Sequence, residues 1–425
     1  MSLLKLKTRL DNPYFLQGSN KNEIYLYAEL KASKVESQNE RIPLNISLVI
    51  DRSGSMEGDK LNYVKKAVEF VVQNLNSGDY LSIIQYDDTV NVVSHSAFVT
   101  NKETLLRKVK AIVSGGMTNL SGGMLEGYNE VKTTQKSGFV NRVLLLSDGL
   151  ANVGISDPTQ LKEIARRQFQ ENKIGLSTFG VGADFNEELM MHLSEYGGAN
   201  YYFIEMPDQI PQIFAKELQG LLSVVAQNTA LEIEFPEAFV QVDKVYGYLF
   251  QQQGNKLTIN FNDVFSEEEK AIVVKFKVTS PITLSNNFKV SLKYDDVVET
   301  LSKISLTENL HLIPTSDKAL YEAAMDKETV ENAVFFTSND MFQEVMALAD
   351  SRNLTEAKSK LEKAIAYLKA YVEMFPSSVR LSNQLKQMND YLINIPNMDM
   401  MENDDFRMAQ KMSKSTNYMM QKRKM

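Results

Sequence analysis

The chain has 425 residues, a length typical of two or three domains, and its composition is that of an ordinary globular protein. Its 46 Lys and Arg residues against 54 Asp and Glu residues give a formal net charge of -8, which argues against nonspecific binding to nucleic acid. The chain contains no cysteine, which excludes disulfides, thiolate chemistry and zinc sites built on sulfur.

The opening segment, "MSLLKLKTRLDNPYF", lacks an apolar stretch of the length that a secretory signal needs. No run of 18 apolar residues occurs anywhere in the chain. We therefore expect neither a secretory signal nor a membrane span, and we predict a cytoplasmic protein.

Residues 1–42 have the pattern of β-strands. "LLKLKTRL" (3–10) and "EIYLYAELKA" (23–32) alternate apolar and polar side chains, as half-buried antiparallel strands do. Two strands are too few to be stable alone. We therefore expect them to pair with strands that come later in the chain.

Residues 43–225 have a different pattern. "LNISLVI" (44–50) is a nearly continuous apolar run, typical of a parallel strand buried on both faces. The next segment, "KLNYVKKAVEFVVQNL" (60–75), places its apolar residues on one helical face. Strand and helix patterns then alternate as far as residue 225, which predicts an α/β fold with a doubly wound, mostly parallel sheet.

Residues 226–312 return to a period of two, as in "TALEIEF" (229–235) and "KAIVVKFKV" (270–278). We predict an all-β, sandwich-like domain that pairs with residues 1–42, so that the α/β domain is inserted into it. Residues 313–396 carry helix-period apolar stripes and are predicted to be helical. The Met-rich residues 397–425 are expected to form a disordered or loosely docked tail.

Five oxygen-bearing residues are predicted to lie on loops at one edge of the sheet. Asp51 and Asp148 directly follow apolar strands, and ligands of open α/β sheets bind beyond the carboxyl ends of strands. Ser53 and Ser55 come two and four residues after Asp51, a spacing that turns alternate side chains of an extended loop to the same side. Thr118 follows a flexible Gly-Gly pair just before a predicted helix. We predict that these five residues form one site for a divalent cation.

The charge of this set predicts binding rather than catalysis. Carboxylate and hydroxyl oxygens suit Mg²⁺, Mn²⁺ or Ca²⁺, and we expect Mg²⁺, which readily keeps a position open for an outer ligand. Two carboxylates can at best cancel the charge of the ion. We therefore expect a protein partner to complete the coordination with a Glu or Asp side chain.

The pattern D-x-S-x-S ("DRSGS", 51–55), followed by "GGMT" (115–118) and "SDG" (147–149), resembles the von Willebrand factor A domain and its metal-ion-dependent adhesion site. The resemblance extends through "FGVGADFNEELMMHLSEYGGANYYFI" (179–204) and covers roughly residues 43–225. It implies that Ser53, Ser55 and Thr118 ligate the ion directly and that both aspartates bind directly or through water. The surroundings resemble bacterial intracellular members of the family and, more loosely, inter-α-trypsin inhibitor heavy chains.

The sequence allows three functional interpretations. We favour a metal-dependent protein-binding module, without enzymatic activity, that serves as an adaptor or scaffold in an intracellular complex. A metal-dependent phosphohydrolase would usually need a second Asp two positions after Asp51, where this chain has Ser53. A cell-surface adhesion protein would use the same site but would need a precursor with a signal sequence.

Acidic residues outside this site also permit an interpretation. The pair Asp87-Asp88 falls where a turn is predicted, and we interpret it as a solvated turn. The acidic residues Glu402 and Asp404 of the tail suggest the hypothesis that the tail covers the metal site in cis.

Overall fold

A computed structural model describes residues 3–19, 22–35, 41–261, 263–298 and 302–422. The first segment contains the strands β1 (Leu4–Leu10), β2 (Tyr14–Leu16) and β3 (Glu23–Ala32). The α/β segment runs through β4 (Leu44–Asp51), α1 (Asp59–Asn74), β5 (Tyr80–Tyr86), β6 (Val90–Phe98), α2 (Lys102–Lys110), α3 (Leu120–Thr133), β7 (Val140–Ser147), α4 (Pro158–Asn172), β8 (Gly175–Val181), α5 (Glu187–Tyr196), β9 (Tyr201–Ile204) and α6 (Ile210–Leu222).

The rest of the chain is first β and then helical. Its strands are β10 (Val224–Glu234), β11 (Val240–Tyr246), β12 (Gln251–Gln253), β13 (Lys256–Asn260), β14 (Val264–Phe265), β15 (Glu269–Val278), β16 (Asn286–Asp296) and β17 (Lys303–Thr315). Its helices are α7 (Lys318–Ala323), α8 (Lys327–Asp350), α9 (Leu354–Met374), α10 (Val379–Met398) and α11 (Asn403–Gln421).

The α/β segment is built on a sheet with the strand order β6-β5-β4-β7-β8-β9. In this order each strand of the run β5-β4-β7-β8-β9 is parallel to its neighbour, whereas β6 pairs with β5 as an antiparallel edge strand. Both β4 and β7 are buried along their whole length, because helices cover the two faces of the sheet with separate apolar cores. The predicted doubly wound α/β fold is confirmed. The edge strand β6 was not predicted, since its polar, half-exposed side chains weaken the strand pattern.

The N-terminal strands complete sheets made by strands from much later in the chain. One sheet has the order β1-β3-β15-β11, and another has the order β12-β13-β10-β16-β17-β2, with β14 pairing with β10. The two sheets share an apolar core in which the rings of Phe276 and Phe288 lie 5.2 Å apart. The α/β segment is therefore inserted into a sandwich of two sheets, as predicted.

The helical region packs on the outer face of the sheet that contains β3 and β15. Side chains of β3 alternate, so that Leu26 and Leu30 enter the sandwich core while Tyr27 enters the core formed with the helices. The ring of Phe336 on α8 lies 6.4 Å from that of Tyr246 on β11. The described helices are all too short or too polar to span a bilayer.

Residues 397–422 differ from the sequence expectation, and the last three residues of the predicted tail, 423–425, lie outside the described residues. Most of this segment forms α11, and α10 continues past Pro396 as far as Met398. Tyr418 of α11 is only 3% exposed and meets the ring of Tyr201 edge-on, with centroids 5.8 Å apart. The side chain of Asn417 donates to that of Asn339 on α8. The expectation of a loosely docked tail was wrong for residues 403–421, because aromatic, amide and lysine side chains of this helix are buried against the rest of the protein.

Candidate functional site: a cation site at the carboxyl end of the parallel sheet

The site lies where two neighbouring parallel strands end. Asp51 is the last residue of β4, and Asp148 directly follows the last residue of β7. Because the carboxyl ends of parallel strands meet at one edge of the sheet, the two aspartates come together although they are far apart in sequence. Both side chains are fully buried, at 0% exposure.

Short hydrogen bonds and oxygen–oxygen contacts join four of the five predicted residues. The backbone N–H of Ser53 donates to Oδ1 of Asp51 over 2.8 Å. The hydroxyl oxygens of Ser53 and Ser55 are 3.2 Å apart, and the hydroxyl of Ser55 donates to Oδ1 of Asp148 over 2.7 Å. Four of the five predicted residues therefore form one continuous cluster.

Thr118 reaches the same cluster from a separate loop. A Cβ placed on Gly149 would lie 3.2 Å from Oγ1 of Thr118 and 3.7 Å from Oγ of Ser55, so both hydroxyls flank the backbone that follows Asp148. The N–H of Thr118 donates to Oδ1 of Asn152 over 2.8 Å, and the N–H of Asn152 donates back to the carbonyl of Thr118 over 3.2 Å. The structure thus brings all five predicted residues together.

The loops that carry these residues are tied to one another by their backbones. The N–H of Gly54 donates to the carbonyl of Gly116 over 2.9 Å, and the N–H of Gly115 donates to the carbonyl of Arg52 over 2.7 Å. These reciprocal bonds fix the loop of Ser53 and Ser55 against the loop of Thr118. They satisfy backbone groups that would otherwise be unpaired at the edge of the sheet.

Asp87 fastens the same two loops and is not the solvated residue that we expected. Its carboxylate is buried, pairs with the guanidinium of Arg52 over 2.7 Å and accepts from the N–H of Gly116 over 3.3 Å. Burial raises its pKa, but hydrogen bonds from Thr89 and Gly116 and the charge of Arg52 outweigh burial and hold the pKa below its usual value. The interpretation of Asp87-Asp88 as a solvated turn was therefore wrong for Asp87.

Burial dominates the electrostatics of Asp51. It raises the pKa of this carboxyl to about 6, although hydrogen bonds from Ser53 and from the hydroxyl of Ser147 act in the opposite direction. The nearby carboxylate of Asp148 contributes to the increase. A cation near these two carboxylates would stabilise the ionised form of Asp51, because an opposite charge favours the charged form of a carboxyl.

Lys60 also belongs to the site, although it was not among the residues predicted from the sequence. Its ammonium Nζ lies 2.5 Å from Oδ2 of Asp148, and its side chain is 26% exposed. The sequence feature that could have indicated Lys60 is its position as the second residue of α1, the helix that begins just after the loop of Ser53 and Ser55.

The donor set fits a small divalent cation. Ligand oxygens at 2.0–2.1 Å from Mg²⁺ in an octahedron are about 2.9 Å from their neighbours. The spacings of 3.2 Å between the Ser53 and Ser55 hydroxyls and 2.7 Å between Ser55 and Asp148 lie on either side of this value. Within the described ranges no group of three or more His, Cys, Asp or Glu side chains is placed to hold a metal, and the candidate set here combines two carboxylates with three hydroxyls.

The acidic residues at the start of α11 make other contacts. Asp404 lies 3.9 Å from Arg407 on the same helix, and Arg407 is also 3.6 Å from Asp184 in the loop after β8. Glu402 is exposed at the beginning of α11. These contacts place α11 beside the α/β segment and give no support to the hypothesis of a ligand supplied in cis.

Known sequences that are similar to this chain include a family model and several individual proteins. A sequence model of the von Willebrand factor type A domain matches residues 45–216. The chain is 29% identical over 216 residues to the uncharacterized protein YfbK of Escherichia coli, covering 50% of this chain and 37% of YfbK. It is 25% identical over 276 residues to the uncharacterized protein sll0103 of Synechocystis, covering 62% of this chain and 64% of that protein.

A third relative is the inter-alpha-trypsin inhibitor heavy chain H3 of Homo sapiens, which is 29% identical over 208 residues, or 46% of this chain and 23% of the heavy chain. The chain thus spans less than two thirds of the length of each of these three relatives.

Two solved structures share the fold over most of the chain. A von Willebrand factor type A protein from Catenulispora acidiphila superposes with a TM-score of 0.72 at 14% identity, covering 90% of this chain and 88% of that one. The ArnB paralog VWA2 from Sulfolobus acidocaldarius superposes with a TM-score of 0.65 at 17% identity, covering 98% of both chains. The shared fold therefore extends beyond the α/β segment to the β and helical regions.

Proposed function

Residues 45–216 of this chain are a von Willebrand factor type A domain, as its motifs predicted, and from this premise we propose that the domain binds a protein partner through a divalent cation. Domains of this family are generally interaction modules without enzymatic activity and typically mediate metal-dependent binding between proteins. In this proposal the ion is held by the metal-ion-dependent adhesion site formed by Asp51, Ser53, Ser55, Thr118 and Asp148, and a Glu or Asp of the partner completes its coordination.

The observation that carries the proposal is the continuous oxygen cluster at the carboxyl end of β4 and β7. Ser55 Oγ lies 3.2 Å from Ser53 Oγ and 2.7 Å from Asp148 Oδ1, spacings that suit neighbouring ligands of one small ion. Only two of the five residues carry negative charge. The bound ion therefore retains affinity for a further anionic oxygen.

Hard oxygen donors support Mg²⁺ as the physiological ion, with Mn²⁺ and Ca²⁺ as alternatives. When bound, the ion supplies a coordination position for an acidic oxygen from outside the chain. The residues of this chain hold and orient it, with Asp51 fixed by the N–H of Ser53 and the hydroxyl of Ser147.

The rim of the site supports a protein as the ligand. Met117 precedes Thr118 and is 56% exposed, and Leu150 lies two residues after Asp148 and is 57% exposed. Two exposed apolar side chains beside a cation suit an interface in which an acidic residue is surrounded by apolar contact area. We propose that the β and helical regions present this face within a larger complex, so that the protein acts as an adaptor or scaffold.

The test combines calorimetry with a pull-down. Binding of Mg²⁺, Mn²⁺ and Ca²⁺ is measured on the full chain and on the double variant Ser53→Ala/Ser55→Ala. The matched control is Ser47→Ala/Ser82→Ala, which removes two buried hydroxyls that make no hydrogen bond among the described residues. Partners are then captured with and without chelator.

We expect cation binding and chelator-sensitive capture in the wild type and the control, and neither in the Ser53/Ser55 variant. Equal cation binding by both double variants would rule out the site. Hydrolysis of a generic phosphoester that is abolished by Asp51→Ala would instead identify a metal-dependent phosphohydrolase.

A further inference from the structure

The carboxylate of Asp148 has two side-chain neighbours, the hydroxyl of Ser55 and the ammonium of Lys60. Oδ1 of Asp148 accepts from Ser55 inside the oxygen cluster, while Oδ2 lies 2.5 Å from Nζ of Lys60 outside it. Asp148 is fully buried, whereas the side chain of Lys60 is 26% exposed. A positive charge that is partly exposed to solvent therefore lies beside the cluster.

The surrounding structure leaves room for this side chain. Gly182, with a φ of +74°, lies in the loop after β8, and a Cβ there would be 3.9 Å from Nζ of Lys60. A longer side chain at this position would crowd the ammonium. The bond to Asp148 uses one of the three N–H donors of the ammonium, so its other donors can meet an incoming anion.

Because of its charge, Lys60 is expected to affect the affinity for a cation and the affinity for a carboxylate ligand in opposite directions. Asp51, Asp148 and Lys60 together carry one negative charge, so a bound divalent cation leaves the site with one positive charge. The same site without the ammonium would be neutral. The ammonium of Lys60 would repel a cation bound to the carboxylate of Asp148 and would attract an anionic ligand, and both interactions would be stronger at a partly buried site than in open solvent.

We propose that Lys60 determines the specificity of this site, weakening its hold on the bare cation and strengthening its hold on a carboxylate ligand that contacts both the ion and the ammonium. The inference rests on the proposed cation site. Its consequence is that cation and acidic partner bind cooperatively, so that the domain holds its ion firmly only when a partner is present.

The experiment uses the full chain with Mn²⁺ as the cation and glutarate as the carboxylate. Mn²⁺ affinity is measured from the electron paramagnetic resonance signal of the free ion. Glutarate affinity is measured from its displacement of Mn²⁺-bound water, followed by proton relaxation. The variants are Lys60→Met, which keeps an apolar side chain of similar length, and Lys60→Arg, which keeps the charge. The control is Lys66→Met, an exposed lysine on the same helix.

We expect Lys60→Met to raise Mn²⁺ affinity and to lower glutarate affinity, each on the order of tenfold. Lys60→Arg should change both affinities less than Lys60→Met does, because the positive charge is retained although the guanidinium is larger than the ammonium. Lys66→Met should change neither. A purely structural role for Lys60 would lower both affinities together in Lys60→Met, and that result, or no change in either, would overturn the proposal. If the wild type itself binds no Mn²⁺, the proposed function fails as well.

Discussion

The hydroxyl of Ser147 donates to Oδ2 of Asp51 over 2.7 Å, so that the last residues of the neighbouring strands β7 and β4 orient one another. Groups that orient a metal ligand without touching the ion typically alter metal affinity by about 10–100-fold when removed. We expect Ser147→Ala to weaken Mg²⁺ binding by about tenfold. Calorimetry measures this change, with Ser82→Ala on β5 as the control. An unchanged affinity in Ser147→Ala would show that Asp51 needs no such support.

Cation binding should depend on pH because the pKa of Asp51 is raised to about 6, chiefly by burial. A cation binds the ionised carboxylate, so protons compete with it below that pKa. We expect the affinity for Mg²⁺ to fall by about tenfold for each pH unit below 6 and to level off above 7. Circular dichroism at each pH checks that the protein stays folded, and a constant affinity between pH 5 and 7 would contradict the prediction.

The raised pKa of Asp51 also makes the stability of the metal-free protein depend on pH, in the opposite direction to the cation affinity. Because the folded state raises the pKa of Asp51 above its ordinary value of 3.8, it binds the proton more tightly than the unfolded chain does. The contribution of this group to the free energy of unfolding therefore decreases as the pH rises from about 4 to about 6. Saturating Mg²⁺ should remove this decrease.

A buried ion pair joins the α/β segment to the β-sandwich. Nη2 of Arg142 on β7 lies 2.6 Å from Oδ2 of Asp263, and Arg142 is also 3.9 Å from Glu217. Removing the carboxylate of Asp263 leaves the buried guanidinium with only the more distant Glu217, so we expect Asp263→Asn to lower the free energy of unfolding by about 3 kcal/mol. Urea titration measures it. Lys360→Ala, which breaks an exposed pair with Glu344, should cost less than about 1 kcal/mol. Equal losses in the two variants would contradict this reading of Arg142.

The docking of α11 is tested by hydrogen exchange over residues 403–421. Tyr418 is buried against Tyr201, and truncating a buried aromatic side chain typically costs about 3–5 kcal/mol. We expect these amides to be protected in the wild type and to exchange much faster in Tyr418→Ala. Met400→Ala, which changes a side chain that is 90% exposed, should leave the protection unchanged. Rapid exchange in the wild type would mean that α11 is not stably docked.

Much of the fold was predictable because its signals are local. The apolar run of β4 and the helical stripe of α1 depend only on the order of residues within one element. The five oxygen-bearing residues could be assigned to one site because strand ends and short loops confine where they can lie. Contacts between residues that are far apart in the chain leave no comparable pattern in the sequence. The sequence around Asp87 indicates a turn, but its burial depends on Arg52 and Gly116 arriving from other loops.

By itself the sequence determined the parallel sheet, its insertion into a β-sandwich and the identity of the candidate cation-binding residues, because hydrophobic periodicity and motif spacing are properties of contiguous residues. The tertiary structure alone decided that Ser147 orients Asp51, that Lys60 shares Asp148 and that α11 packs against β9. Each of these contacts joins residues from different elements, and only packing in three dimensions fixes which side chains of separate elements meet.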